Sequence, residues 1–156
     1  MYEIAAADAS EGDVAALLRK HFDLMRSQSP AESCHVLPAD ALTASDIHMF
    51  ALRETGTVYA IGALKICDTW AEVKSMHTVE QARGRGYGRA MLATLIDEAE
   101  SLKLQSLKLE TGSGGEHKAA RQLYEQAGFV TCPPFGDYRA DPLSIFMCRD
   151  LQQLDA

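Results

Sequence analysis

The 156-residue sequence contains no apolar run approaching the ~20 residues that a membrane-spanning helix requires. Its first residues lack the basic and apolar blocks of a secretory leader. Four cysteines, Cys34, Cys67, Cys132 and Cys148, form neither a CxxC pair nor a zinc-ligand spacing, so no metal is expected and the thiols are expected to be reduced. Together these absences predict a cytoplasmic protein. Positive charge is also in deficit. Fifteen Lys and Arg stand against 22 Asp and Glu, a formal charge of -7. That balance argues against nucleic acid or an anionic membrane as the main partner, since both are held through clustered positive charge. There is no Gly-Lys-Ser or Gly-Lys-Thr of a phosphate-binding P-loop, and the dinucleotide pattern GxGxxG is not met. No internal repeat and no linker divides the chain, so residues 1–156 are expected to form one domain.

What is present is an ordinary globular composition, 47% apolar and 24% charged, in a chain long enough to bury a core. Residues 2–7 read as an edge strand. Val14, Leu17, Leu18, Phe22 and Met25 recur at helical spacing and predict an amphipathic helix over 13–25. Residues 27–40, punctuated by Pro30 and Pro38, read as a polar loop with a short helical turn. Strands follow at 47–52, 58–68 and 71–79, the first two joined by a tight turn at 54–57, and should form an antiparallel meander. A strong helix is predicted over 89–102, a strand over 104–111, a glycine-rich loop over 112–115 and a helix over 118–127. Gly128 suits the left-handed position that ends this last helix. Short strands at 129–132 and 143–150 flank a proline-punctuated loop. Helices alternating with strands in this order predict an α/β (α+β) fold with helices against a mixed sheet.

The sharpest local signal is Arg83-Gly84-Arg85-Gly86-Tyr87-Gly88, set between a strand and the strong helix. Glycines let the backbone come close to a ligand. The first-turn amides of a helix lack internal acceptors and, with the helix dipole, form an anion site. Arg83, Arg85 and Arg89 concentrate positive charge there in an acidic chain, which suits a pyrophosphate. The plainer alternative is a tight strand-to-helix turn carrying solvent-exposed arginines.

Arg83, Gly86 and Gly88 fill the Gln/Arg-x-x-Gly-x-Gly/Ala signature of the GNAT superfamily of N-acetyltransferases, which the sequence resembles from about residue 47 to its end. The segment 120–129, with Leu123-Tyr124 and Gly128-Phe129, is similar to the family's later helix. Four blocks add a likeness to a bacterial subgroup of uncharacterised small-molecule acetyltransferases: Ser29-Pro30-x-Glu32-Ser33-x-His35, Lys74-Ser75-Met76, Leu109-Glu110-Thr111-Gly112 and Pro134-Phe135-x-Asp137-Tyr138-x-x-Asp141-Pro142. The resemblance implies a mostly antiparallel sheet of six to seven strands and acetyl-coenzyme A as cosubstrate. It implies a pyrophosphate cradled by residues 85–89, with Gly84 and Tyr87 in the same turn. Main-chain groups of Met76 and Thr78 would bind the pantetheine arm where the fourth strand splays from the fifth. His77 reads as sheet packing or a flank of that slot, not a metal ligand, and His117 stands where many relatives carry an asparagine that helps to orient the cofactor.

Acetyl transfer to an amine needs a neutral nucleophile, a polarised thioester carbonyl and a proton for the departing thiolate. Tyr124 matches the family tyrosine near the sulfur and is the candidate acid; alternatively it packs against Phe129 with its hydroxyl at the surface. Glu110, at a strand end, is the preferred base, with Glu72 on the neighbouring strand as the other carboxylate. Either could instead be an exposed strand charge. His35 is an alternative base or, with Glu32, Asp137, Tyr138 and Asp141, part of an acceptor pocket. Asp137 and Asp141 could equally cap turns. The expected acceptor is a small, cationic amine attacking directly in a ternary complex. A protein N-terminus or lysine, or a non-catalytic acetyl-coenzyme A module, are the alternatives. Residues 143–147 are a candidate homodimer surface.

Overall fold

A computed structural model of the chain describes residues 1–28 and 46–151. Glu32 and His35 therefore lie outside the described residues. Seven strands, β1 (Glu3–Ala6), β2 (Ile47–Glu54), β3 (Thr57–Cys67), β4 (Trp70–Thr78), β5 (Ser106–Gly112), β6 (Val130–Thr131) and β7 (Ser144–Asp150), form one sheet in the order β1-β2-β3-β4-β5-β7-β6. Every neighbouring pair is antiparallel except β4 and β5. The helices are α1 (Gly12–Gln28), α2 (Tyr87–Ser101) and α3 (Lys118–Gln126).

The expected order of elements is present, with shifted edges. β2 runs on to Glu54, and its hairpin to β3 turns on Thr55 and Gly56 alone, both at positive φ, the geometry that matches strand twist in two-residue loops. Trp70 belongs to β4, not to the turn before it. α1 continues past Met25 to Gln28. α2 begins at Tyr87, two residues earlier than its apolar stripe suggests, because Gly86 adopts the left-handed conformation (φ 82°) and turns the chain into the helix there.

Strand alternation sorts side chains onto two faces. Leu64 of β3, Val73 of β4, and Leu107 and Leu109 of β5 are buried with Leu92 and Leu95 of α2 and Tyr124 of α3. On the other pleat, Met49, Ala51, Ile61 and Ala63 are buried with Val14, Leu17 and Leu18 of α1. Among the described residues, no helix is long and apolar enough to cross a membrane.

Two irregularities of β4 shape everything that follows. Its parallel ladder with β5 ends at Glu72–Lys108, although β4 runs on to Thr78 and β5 to Gly112. Past Glu72, the β5-facing backbone edge of β4 has no strand partner among the described residues. On its other side, Lys74 pairs with Ala63 and His77 with Ile61, so Ser75 and Met76 together oppose Gly62. Ser75 sits at φ 56°, as the first residue of a bulge that bends the strand.

Candidate active site

The divergence of β4 and β5 opens a cleft of ≈ 810 Å³. Its walls come from both faces of the sheet. Gly86, Gly88 and Arg89 of the α2 start and Ala120, Leu123 and Tyr124 of α3 line one side; Lys20, His21 and Gln28 of α1 line the other. The cleft thus crosses the sheet at the one place where two central strands part. A smaller depression of ≈ 330 Å³, lined by Gly128, Val130, Cys148, Arg149 and Asp150, shares none of these residues.

On the α2 side, a β-carbon added to Gly86 would meet no atom of the described residues within 4 Å, so there is open space beside Gly86 at the start of the helix. Arg83, Gly84, Arg85, Gly86 and Arg89 are exposed around it, Gly88 is half-buried and Tyr87 is buried beneath. All but Arg85 line the cleft. Arg83 Nε donates to the Thr78 carbonyl at 3.3 Å and Arg89 donates to Gln126 at 2.9 Å, so these two side chains also tie the turn to β4 and α3. Tyr124 is buried on α3, edge-on to Phe129 at 5.9 Å. It therefore packs on Phe129, but its hydroxyl is buried and not at the surface, and the residue lines the cleft. Burial pushes its hydroxyl pKa up to about 12.

His117 caps the far end of β5. Its ring lies over Gly112 so closely that an added β-carbon there would come 2.1 Å from the ring. Arg121 of α3 donates to the carbonyls of Gly112 (2.7 Å) and Gly114 (2.8 Å), fixing the glycine-rich loop against the helix. Sequence reasoning passed over Arg121, since an arginine on an amphipathic helix carries no local sign of what it reaches.

On the α1 side, both candidate carboxylates line the cleft and both are engaged. Glu110 accepts the Ser144 hydroxyl at 2.6 Å. Glu72 is buried, accepts Lys74 Nζ at 3.1 Å and the Tyr138 hydroxyl at 2.5 Å, and so is part of a compact triad, since Lys74 also meets the Tyr138 oxygen at 3.0 Å. Burial, followed by the Glu72 charge, pushes the Tyr138 pKa up. Tyr138 supports the cleft through Glu72 and is not among its lining residues. Asp137 is exposed and Asp141 accepts the Leu143 amide at 2.8 Å; neither lines the cleft. The local reason is turn chemistry: Asp141 sits two residues before the amide it accepts, in a proline-punctuated loop.

His77 does more than flank the slot. It faces α1, and its Nδ1 lies 3.1 Å from Nδ1 of His21. One ring must donate and the other accept, which fixes opposite tautomers in the neutral pair. Burial lowers the His21 pKa to about 3, with His77 and Lys74 adding repulsion. Burial lowers that of His77 to about 4, with Arg83 and Lys20 contributing. His21 was not expected here, since it falls on a helix read only for its apolar stripe. Among the described residues, no group of three or more His, Cys, Asp or Glu is gathered as a metal site.

A model of the Acetyltransferase (GNAT) family matches residues 14–129. The chain is 38% identical over 145 residues to the uncharacterized N-acetyltransferase YsnE of Bacillus subtilis, covering 92% of this chain and 96% of that protein. It is 43% identical over 126 residues to the IAA acetyltransferase of Azospirillum brasilense, covering 78% and 80%. A crystal structure of a Klebsiella pneumoniae protein assigned as an acyl-CoA N-acyltransferase superposes with a TM-score of 0.80 at 28% identity, covering 97% of this chain and 99% of that one. The open helix start, the parted strands and a family match spanning well over half of the sequence agree, and the chain belongs to the GNAT family of acetyltransferases.

Proposed function

We propose that the chain transfers an acetyl group from acetyl-coenzyme A to the amino group of a small molecule, by direct attack in a ternary complex. The observation that carries this reading is the cleft where β4 parts from β5, with the glycine- and arginine-rich start of α2 on one side and a polar wall on the other. The cosubstrate's phosphates suit the open space before Gly86, where the helix amides and the arginines converge. Its arm suits the unpaired backbone edge of β4, at Met76 and Thr78, as an added strand would. The amine reaches the thioester from the α1 side.

In that arrangement, Glu110, held by Ser144, takes the amine proton. Tyr124 supplies one to the sulfur; burial raises its hydroxyl pKa to about 12, which keeps it protonated at neutral pH although a weaker acid than a free tyrosine. Glu72 is the less accessible of the two carboxylates, because its Oε2 is already held by the Lys74 ammonium and the Tyr138 hydroxyl. The same pairing weakens the case for a strongly cationic acceptor, since two of the carboxylates facing the cleft already have partners. The small-molecule acceptor is in keeping with the name of the Azospirillum relative.

Titration calorimetry with acetyl-coenzyme A tests the donor half. Gly86 (φ 82°) and Gly56 (φ 83°) are equally left-handed and equally open, but Gly56 lies in the β2–β3 hairpin. Gly86→Val and Gly56→Val therefore carry similar backbone strain. Binding lost only in Gly86→Val is the expected result; binding kept in both, or absent from the parent, refutes the assignment.

A further inference from the structure

Ser75 carries two independent costs. It holds a left-handed backbone (φ 56°), which glycine adopts freely and serine does not. Its hydroxyl is buried with no hydrogen-bond partner among the described residues. Glycine would relax the first and alanine would remove the second. Glu72 and His77, two other polar side chains of β4 that line the cleft, are engaged: Glu72 by Lys74 and Tyr138, and His77 by His21. A buried hydroxyl without a partner in a cleft calls for one that arrives with a ligand.

The chain direction says which part of the ligand. β4 runs from its last pairing with β5, at Glu72, through Ser75 to Thr78, and then into the glycine turn at the start of α2. A pyrophosphate on that turn and an arm lying back along Thr78 and Met76 bring the reactive end of the cosubstrate to the closed end of the slot, beside Ser75. We propose that the Ser75 hydroxyl donates a hydrogen bond to the acyl carbonyl oxygen of the thioester and stabilises the charge that builds there. This inference rests on the donor assignment above. In the step it serves, the C–N bond forms at the acyl carbon and the C–S bond breaks. Glu110 takes the nitrogen's proton and Tyr124 gives one to the sulfur. Ser75 transfers no proton.

The test compares the parent with Ser75→Ala and Ser75→Gly by calorimetry with acetyl-coenzyme A and with free coenzyme A, which lacks the carbonyl. The parent should bind the acetylated form more tightly, and both variants should lose that preference by ~3–10-fold, the worth of one neutral hydrogen bond. Without ligand, both variants should melt at or above the parent temperature, because the orphaned hydroxyl or the strain has been removed. With an amine that the parent acetylates, kcat should fall by ~10²-fold in both. An unchanged preference in Ser75→Ala overturns the proposal and leaves the donor reading intact. So does a lower melting temperature in both variants, which would mean that the hydroxyl has a partner in the protein. A parent that binds neither form overturns the donor reading itself.

Discussion

The buried histidine pair makes stability depend on pH in a way that can be calculated and refuted. In the unfolded chain both imidazoles titrate near 6.5, whereas in the fold they stay neutral down to about 4 for His77 and about 3 for His21. Between those limits the unfolded state binds more protons than the native one, so stability is fully present above pH 6.5 and declines as pH falls. Integrated from pH 7 to pH 5, one such imidazole costs about 2 kcal/mol. The full pair would cost about 4 kcal/mol. His77 flanks the open cleft, where solvent reduces its share, so the expected loss is about 2–4 kcal/mol. A double protonation would also set two N–H groups against each other across the 3.1 Å contact. His21→Phe keeps the edge-on ring packing (5.1 Å between centroids) while removing one titrating group. Urea unfolding at pH 7 and pH 5, followed by circular dichroism, should show the variant losing about 2 kcal/mol less than the parent over that interval. Equal losses in the two proteins would mean that the imidazoles are not buried as neutral rings.

The other expectations concern the chemistry and the loop behind it. Tyr124→Phe and Glu110→Gln should each lower kcat by ~10²-fold while leaving acetyl-coenzyme A affinity nearly unchanged; parent-level turnover in either removes that residue's acid or base role. Arg121→Met should lower the unfolding free energy by about 2 kcal/mol, since two carbonyls of the 112–114 loop lose a charged donor. An unchanged urea midpoint would show that the loop holds without it.

Sequence periodicity and turn chemistry were enough to order the strands and helices. The stripe Met91, Leu92, Leu95, Ala99 needs only the helix repeat to be recognised, and the β2–β3–β4 meander needs only alternation and a glycine turn. The anion turn was equally legible, because the glycines, arginines and helix start that compose it are adjacent in the chain. Tertiary structure decided the rest. His21 meets His77 across 56 residues and Tyr138 meets Glu72 across 66, contacts that no local pattern encodes. The aspartates of the 133–142 loop looked the same in sequence whether they faced a substrate or a turn amide; only the path of that loop assigned Asp141 to the turn. Nothing in the predicted strand 71–79 or in the Lys74-Ser75-Met76 block marked Ser75 for the left-handed backbone and orphaned hydroxyl that accompany the register shift opposite Gly62. The parting of β4 from β5 depends on strands that are neighbours in space but separated in the chain by α2. Short-range interactions fix the elements and their order, and the sequence carries those directly. The site arises where distant elements meet, so its geometry exists only once the sheet has assembled.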